Sequence, residues 1–140
     1  MDNLDKNSNG ASCIFCKIIK KELPSRNIHE SEKFVSFLDI YPVSYGHILV
    51  VPKQHIAWMQ DADDKTISEI FKLCKKLMIA IKKAMNCDYV QLAISGIDIP
   101  HFHIHLIPRY KNDGLSEWPT KEYANEGEKD NITKKIISAL

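Results

Sequence analysis

Residues 100–108 read Pro100-His101-Phe102-His103-Ile104-His105-Leu106-Ile107-Pro108. Side chains alternate across a β-strand, so His101, His103 and His105 are expected on one face and Phe102, Ile104 and Leu106 on the other. The apolar face can pack on a helix, leaving the imidazoles on a separate surface. Half of the chain's six histidines fall within these five positions, which weighs against a chance cluster on a solvated strand. Three imidazoles in register offer two chemistries. They can ligate a metal, because neutral imidazole is a common zinc ligand. They can also serve as nucleophile and proton carrier, because imidazole titrates near neutral pH and attacks phosphorus or acyl centres.

Working outward, Tyr89–Ile94 reads as a second strand, joined to the histidine strand by a loop over 95–100. Before it, 61–85 carries apolar residues at Ile67, Ile70, Phe71, Cys74, Leu77, Met78, Ile81, Ala84 and Met85, the spacing of one buried helical stripe. Asp61, Asp63 and Asp64 supply its cap and first-turn acids, and its lysines read as a solvated face. Upstream, Ile28–Asp39 reads as strand, turn at Glu32-Lys33, strand. Gly46-His47 opens another strand, Ile48-Leu49-Val50-Val51, which Pro52 ends. Cys13–Lys21 suits a short helix, residues 1–11 a frayed tail, and Ile132, Ile136, Ile137 and Leu140 a short terminal helix. Strands, a long helix, then two more strands make an α+β protein with a mainly antiparallel sheet.

Composition narrows the function. At 140 residues the chain is one domain, and its net charge of +1 argues against a broad nucleic-acid footprint. No apolar run has the length of a membrane span, and residues 1–10 lack the apolar core of a signal peptide, so a cytoplasmic location is expected. Only five glycines are present and neither common Gly-rich phosphate loop occurs, which disfavours P-loop and Rossmann nucleotide sites. Cys13-Ile14-Phe15-Cys16 is a CxxC. In a reducing compartment this pattern favours zinc or redox use over a structural disulfide, and a thioredoxin-like role lacks its βαβ setting.

The segment HFHIHLIP resembles the histidine-triad motif of the HIT superfamily of nucleotidyl hydrolases and transferases. CIFCKIIKKELP, FLDIYPVSYGHILVVPKQH and AISGIDIPHFHIHLIPRY are similar to further blocks of that family, in the same order, from about Cys13 to Tyr110. The HINT-like branch is the nearest likeness. The resemblance implies a HIT fold over 12–110: a five-stranded sheet, one long helix and a short N-terminal helix. The tail from 111 to 140 lies outside it. It implies a homodimer that joins two sheets into a ten-stranded one. It also implies that His103 is the nucleophile, forming a covalent nucleotidyl-imidazole at the α-phosphorus of a purine nucleotide. His105 would contact phosphoryl oxygens or the leaving group, and His47 would support the tautomer and charge of the nucleophile. Asp39 would accept the ribose hydroxyls. Phe15, Ile18, Phe37, Ile40 and Leu49 would form the base pocket, and Ser95 stands where an asparagine is common. By the same likeness Cys13, Cys16, His55 and His101 form a closed Cys₂His₂ shell for structural zinc.

The chain departs from the family just before the triad. Where many members carry Gly-Gln-Ser/Thr/Glu-Val, it reads Gly96-Ile97-Asp98-Ile99. Ile97 donates no hydrogen bond and Asp98 brings negative charge. The expectation is therefore a purine-nucleotide phosphoramidase or general nucleotidyl hydrolase releasing AMP. Two rivals stand beside it: a zinc-dependent hydrolase with the triad as its metal site, and a non-enzymatic nucleotide- or partner-binding protein. Trp118-Pro119 falls where family tails often approach the partner's active site, so a specificity role is expected there.

Overall fold

The computed structural model describes residues 12–96, 98–115 and 122–140. The elements are α1 (Ile14–Ile19), β1 (Asn27–Glu30), β2 (Phe34–Leu38), β3 (Ile48–Pro52), a 3-10 turn (Met59–Asp61), α2 (Asp64–Met85), β4 (Tyr89–Ala93), β5 (Ile104–Arg109) and α3 (Glu126–Ala139). The strands form one sheet in the order β1-β2-β3-β5-β4, with every neighbouring pair antiparallel. The expected α+β class and five-stranded sheet are therefore observed.

The sheet is covered on both faces, and the strand period decides which residues go where. Phe34, Ile48, Val50, Ile104 and Leu106, with Phe102 just before β5, pack against Ile70, Cys74, Leu77 and Ile81 of α2. Val35, Phe37, Leu49 and Val51 form a smaller cluster with Cys13, Phe15 and Cys16 of the N-terminal knuckle. β2 and β3 thus read as continuous apolar runs because each alternates between two buried faces. The lysines 72, 75, 76, 82 and 83 are exposed on the far side of α2.

Most strand ends fall within a residue of the sequence reading, and three boundaries differ by more. The long helix begins at Asp64, not Asp61. Asp63 is its N-cap, its carboxylate accepting the Thr66 N–H at 2.7 Å, and Met59–Asp61 turns separately. The histidine strand was expected over 102–107, yet its ladder starts at Ile104 and runs through Pro108 to Arg109. The Phe102 N–H donates instead to the Ile56 carbonyl at 2.6 Å, and the His101 N–H to the Ile99 carbonyl at 2.8 Å. Only His105 therefore sits in the ladder, while His101 and His103 belong to an extended lead-in tied to loops. α3 runs from Glu126, earlier than its apolar residues alone suggest. Asn125 caps it by accepting the Glu128 N–H, and none of its residues is buried. Trp118-Pro119, Ile97 and the tail over 1–11 lie outside the described residues.

Candidate functional site

β3 and β5 are neighbours, and the register Leu49↔His105 brings the turn before β3 beside the histidine strand. That turn needs Gly46. Its φ is +95°, and an added Cβ would lie 2.9 Å from Met85 Cγ and 3.1 Å from Pro108 Cγ. The result is a buried His47, 3% exposed, aimed at the sheet.

The hydrogen bonds fix a tautomer for each of three imidazoles. His47 Nδ1 accepts the Val43 N–H at 3.0 Å, so its proton is on Nε2. That Nε2–H lies 2.9 Å from His105 Nδ1 and 3.5 Å from Asp39 Oδ2. His105 Nδ1 is then an acceptor, and His105 carries its own proton on Nε2. His103 donates from Nδ1 to the His101 carbonyl at 2.7 Å, which leaves a lone pair on Nε2. Among the described residues Nε2 of His103 has no hydrogen-bond partner.

Burial keeps these rings neutral. It lowers His103 below the usual histidine value, against the opposing charges of Asp39 and Asp98. It lowers His105 to about 4, helped by the neighbouring His103 and His47, and it lowers His47 despite Asp39. A neutral His103 with a free Nε2 is a competent nucleophile at neutral pH. Phe15 braces it from the side, edge-on at 4.9 Å between centroids.

His101 faces a different cluster. His55 Nδ1 is 3.1 Å from His101 Nδ1 and 3.2 Å from Cys16 Sγ. Cys13 Sγ and Cys16 Sγ lie 3.4 and 3.5 Å from His101 Nδ1. The edges of a tetrahedral Cys₂His₂ zinc shell are about 3.3–3.8 Å, and these contacts lie at or slightly inside that range, so a small expansion of the cluster would admit the ion. His101 Nε2–H donates to the Pro52 carbonyl at 2.8 Å, the outer bond that turns Nδ1 towards a metal. Burial, aided by Cys13, pushes the Cys16 thiol up to about 11, so a thiolate there calls for a cation.

Asp39, His47 and His105 also come within metal-ligating reach of one another. The hydrogen bond from Val43 argues against such use: it keeps the proton on the very His47 nitrogen that would have to bind. The triad is thus split three ways. His101 joins the cysteines, His103 stands with its Nε2 free, and His105 pairs with His47. The expected division of faces is observed: Phe102, Ile104 and Leu106 pack on the α2 side, while the His103 and His105 rings lie 5.0 Å apart and Phe15 meets both His101 and His103 edge-on.

Of the five residues expected around a base, Phe15, Phe37 and Leu49 are buried in the smaller core cluster, with Ile18 packed against it. Ile40 is 78% exposed and apart from that cluster. Ser95 is exposed in the β4–β5 connection. No sequence signal marks the Val43 N–H, the Pro52 carbonyl or the His101 carbonyl, because backbone groups carry no residue signature. Trp58 was also missed, and it packs against Gly96 at the mouth of the same connection.

Residues 20–112 match the family model described as HIT domain. The chain is 43% identical over 110 residues to an uncharacterized HIT-like protein of Borreliella burgdorferi, covering 74% of this chain and 79% of that one. It is 37% identical over 119 residues to the adenosine 5'-monophosphoramidase HNT1 of Saccharomyces cerevisiae, covering 80% and 73%. Its fold is similar to the crystal structure of a Zn-bound histidine triad family protein from Mycobacterium smegmatis, with a TM-score of 0.71, 28% identity and coverage of 92% and 98%.

Proposed function

This chain belongs to the HIT domain family, and from that premise we propose that it hydrolyses purine-nucleotide phosphoramidates to AMP through a nucleotidyl-histidine. The observation that carries the reading is the 2.7 Å bond from His103 Nδ1 to the His101 carbonyl, which leaves the Nε2 lone pair to attack phosphorus. Similarity to the yeast monophosphoramidase supports the substrate class.

In the first step the His103 Nε2 lone pair forms a bond to the α-phosphorus. The P–N bond of the substrate breaks, its electron pair leaves on the amine nitrogen, and that nitrogen takes a proton from solvent. His103 then carries phosphorus on Nε2 and hydrogen on Nδ1, a cation steadied by the His101 carbonyl. In the second step water attacks phosphorus, the bond to Nε2 breaks and its pair returns to His103. AMP leaves, and two protons are released, one of which balances the proton already taken. Two easier displacements replace one hard one. His105, neutral with its proton on Nε2, donates a hydrogen bond to the phosphoryl oxygens and gives up no proton. His47 is a positioning residue that holds His105 in that tautomer. Asp39 takes the ribose hydroxyls, and Phe15, Ile18, Phe37 and Leu49 back the base, with Ile40 and Ser95 at its exposed rim.

Cys13, Cys16, His55 and His101 would hold a zinc ion. With four protein ligands and no open position, its contribution is to tie the knuckle to the lead-in of β5. The working domain is 12–110, with 111–140 as an appendage. We carry the homodimer over from the family. It is supported by the edge of β4, which is unpaired among the described residues, and by the apolar groove beside it, lined by Phe71, Met78, Ile79, Tyr89 and Val90. No described helix is long and apolar enough to cross a membrane, and a cytoplasmic location fits this reading.

The test is to mix the protein with an adenosine phosphoramidate, quench at alkaline pH and search by mass spectrometry for an adenylylated peptide containing His103. The adduct is expected with the wild type and absent from His103→Ala, which should still bind AMP. Full turnover by His103→Ala would overturn the proposal.

A further inference from the structure

β3 and β5 pair only from Val50↔Ile104 to Ile48↔Leu106, and Pro108 lies beyond the end of that ladder. The Asp88 N–H donates to the Arg109 carbonyl at 2.9 Å. Arg109 therefore faces β4, and the Pro108 carbonyl faces the other side, where β3 has ended. A carbonyl of a fully buried residue needs a donor. Ser44 supplies it: its hydroxyl donates to the Pro108 carbonyl at 2.5 Å. The same turn closes around His47. The His47 N–H donates to the Ser44 carbonyl at 3.1 Å, and the Val43 N–H donates to His47 Nδ1 at 3.0 Å. Ile40, Tyr41, Val43 and Tyr45 are exposed, so side-chain burial does little to hold the turn in place. Among the described residues, the Ser44 hydroxyl makes the one hydrogen bond from 40–46 to the strand that carries His105.

We propose that Ser44 is a positioning residue: by tying the turn to Pro108 it holds the Val43 N–H on His47 Nδ1, and through His47 it keeps the proton of His105 on Nε2. This rests on the hydrolase reading above and deepens it. Without the Ser44 hydroxyl the Val43 N–H is free to leave Nδ1, and His47 can carry its proton on either nitrogen. With the proton on Nδ1, His47 turns a lone pair towards His105 Nδ1, which lies 2.9 Å from His47 Nε2. His105 then answers with a proton on Nδ1 and presents a lone pair from Nε2 to the phosphoryl oxygens. A donor at the phosphate becomes an acceptor, and like meets like. The change passes from Ser44 to His105 through a backbone N–H and one imidazole, with no residue of the triad replaced.

The experiment compares full-length wild type with Ser44→Ala, Ser44→Cys and Ser44→Thr. Isotope-edited NMR of the histidine rings reads which nitrogen of His47 and His105 holds the proton, and kcat/KM for an adenosine phosphoramidate is measured on the same proteins. In the wild type both rings should hold the proton on Nε2 alone. In Ser44→Ala both rings should share it between their nitrogens, with kcat/KM lower by about tenfold. Ser44→Cys, a weak donor, should show the same changes to a smaller degree, and it carries the test if the alanine variant does not fold. Ser44→Thr keeps the hydroxyl and should recover both the ring signals and the rate, which a general loss of packing would not predict. Wild-type ring signals in Ser44→Ala, or a kcat/KM within about twofold of wild type, overturn the role of Ser44 and leave the hydrolase reading intact. Absence of turnover by the wild type, with its rings protonated as described, overturns the hydrolase reading and this inference together.

Discussion

Replacing Phe15 with alanine tests whether the N-terminal knuckle supports His103, the proposed nucleophile. The ring is 4% exposed and meets three others edge-on: Phe37 at 5.7 Å, His101 at 5.9 Å and His103 at 4.9 Å. Removing it loses about 2–3 kcal/mol of apolar transfer free energy. The edge contacts and the cavity left against Val35, Leu49 and Val51 bring the total to about 4 kcal/mol. Phe15→Leu keeps most of the volume and loses the edge contacts, so about 1–1.5 kcal/mol is expected. The assay is urea denaturation followed by circular dichroism, with phosphoramidate turnover measured well below the midpoint. Phe15→Leu should be mostly folded yet slower, because His103 loses its brace. If Phe15→Ala costs less than about 1 kcal/mol, the knuckle is not packed on the sheet as described, and the argument that it steadies His103 fails.

Four further outcomes are expected. His105 and His47 have depressed pKa values in the folded state, so the unfolded chain binds more protons below its ordinary value near 6.5. Stability should hold above about pH 6.5 and fall towards pH 4, by up to about 1.4 kcal/mol per pH unit for each such group, and a flat denaturation profile across that window would contradict their burial as neutral rings. Elemental analysis of protein purified without chelator should find one zinc per chain, and its removal should lower the melting temperature; Cys16→Ser should lower the zinc content. Ser36 Oγ is buried without a hydrogen-bond partner among the described residues, so Ser36→Ala should raise stability by about 1 kcal/mol in the same denaturation assay. Asp63→Ala removes the cap of α2 and should cost about 1 kcal/mol.

The periodicity of 61–85 and the alternation in 102–107 were enough to place a long amphipathic helix against one face of an antiparallel sheet. Those patterns are local consequences of burial, and they are written in side-chain identity. CxxC by itself pointed to zinc or redox use, because few residue types ligate soft cations, and the family resemblance added His55 and His101 to complete the donor set. Helix and strand ends were less legible. Asp61, Asp63 and Asp64 are equally good caps by composition, and only the tertiary path of the chain selected Asp63. The division of labour among His101, His103 and His105 was not legible from spacing or periodicity and was available only through the family resemblance. It depends on backbone groups, the Val43 N–H and the Pro52 and His101 carbonyls, which every residue type offers alike and which only folding brings to a particular ring nitrogen. The sequence by itself determined which imidazoles were available and on what kind of scaffold. The tertiary structure decided which nitrogen of each carries the proton, because that is settled by partners distant along the chain.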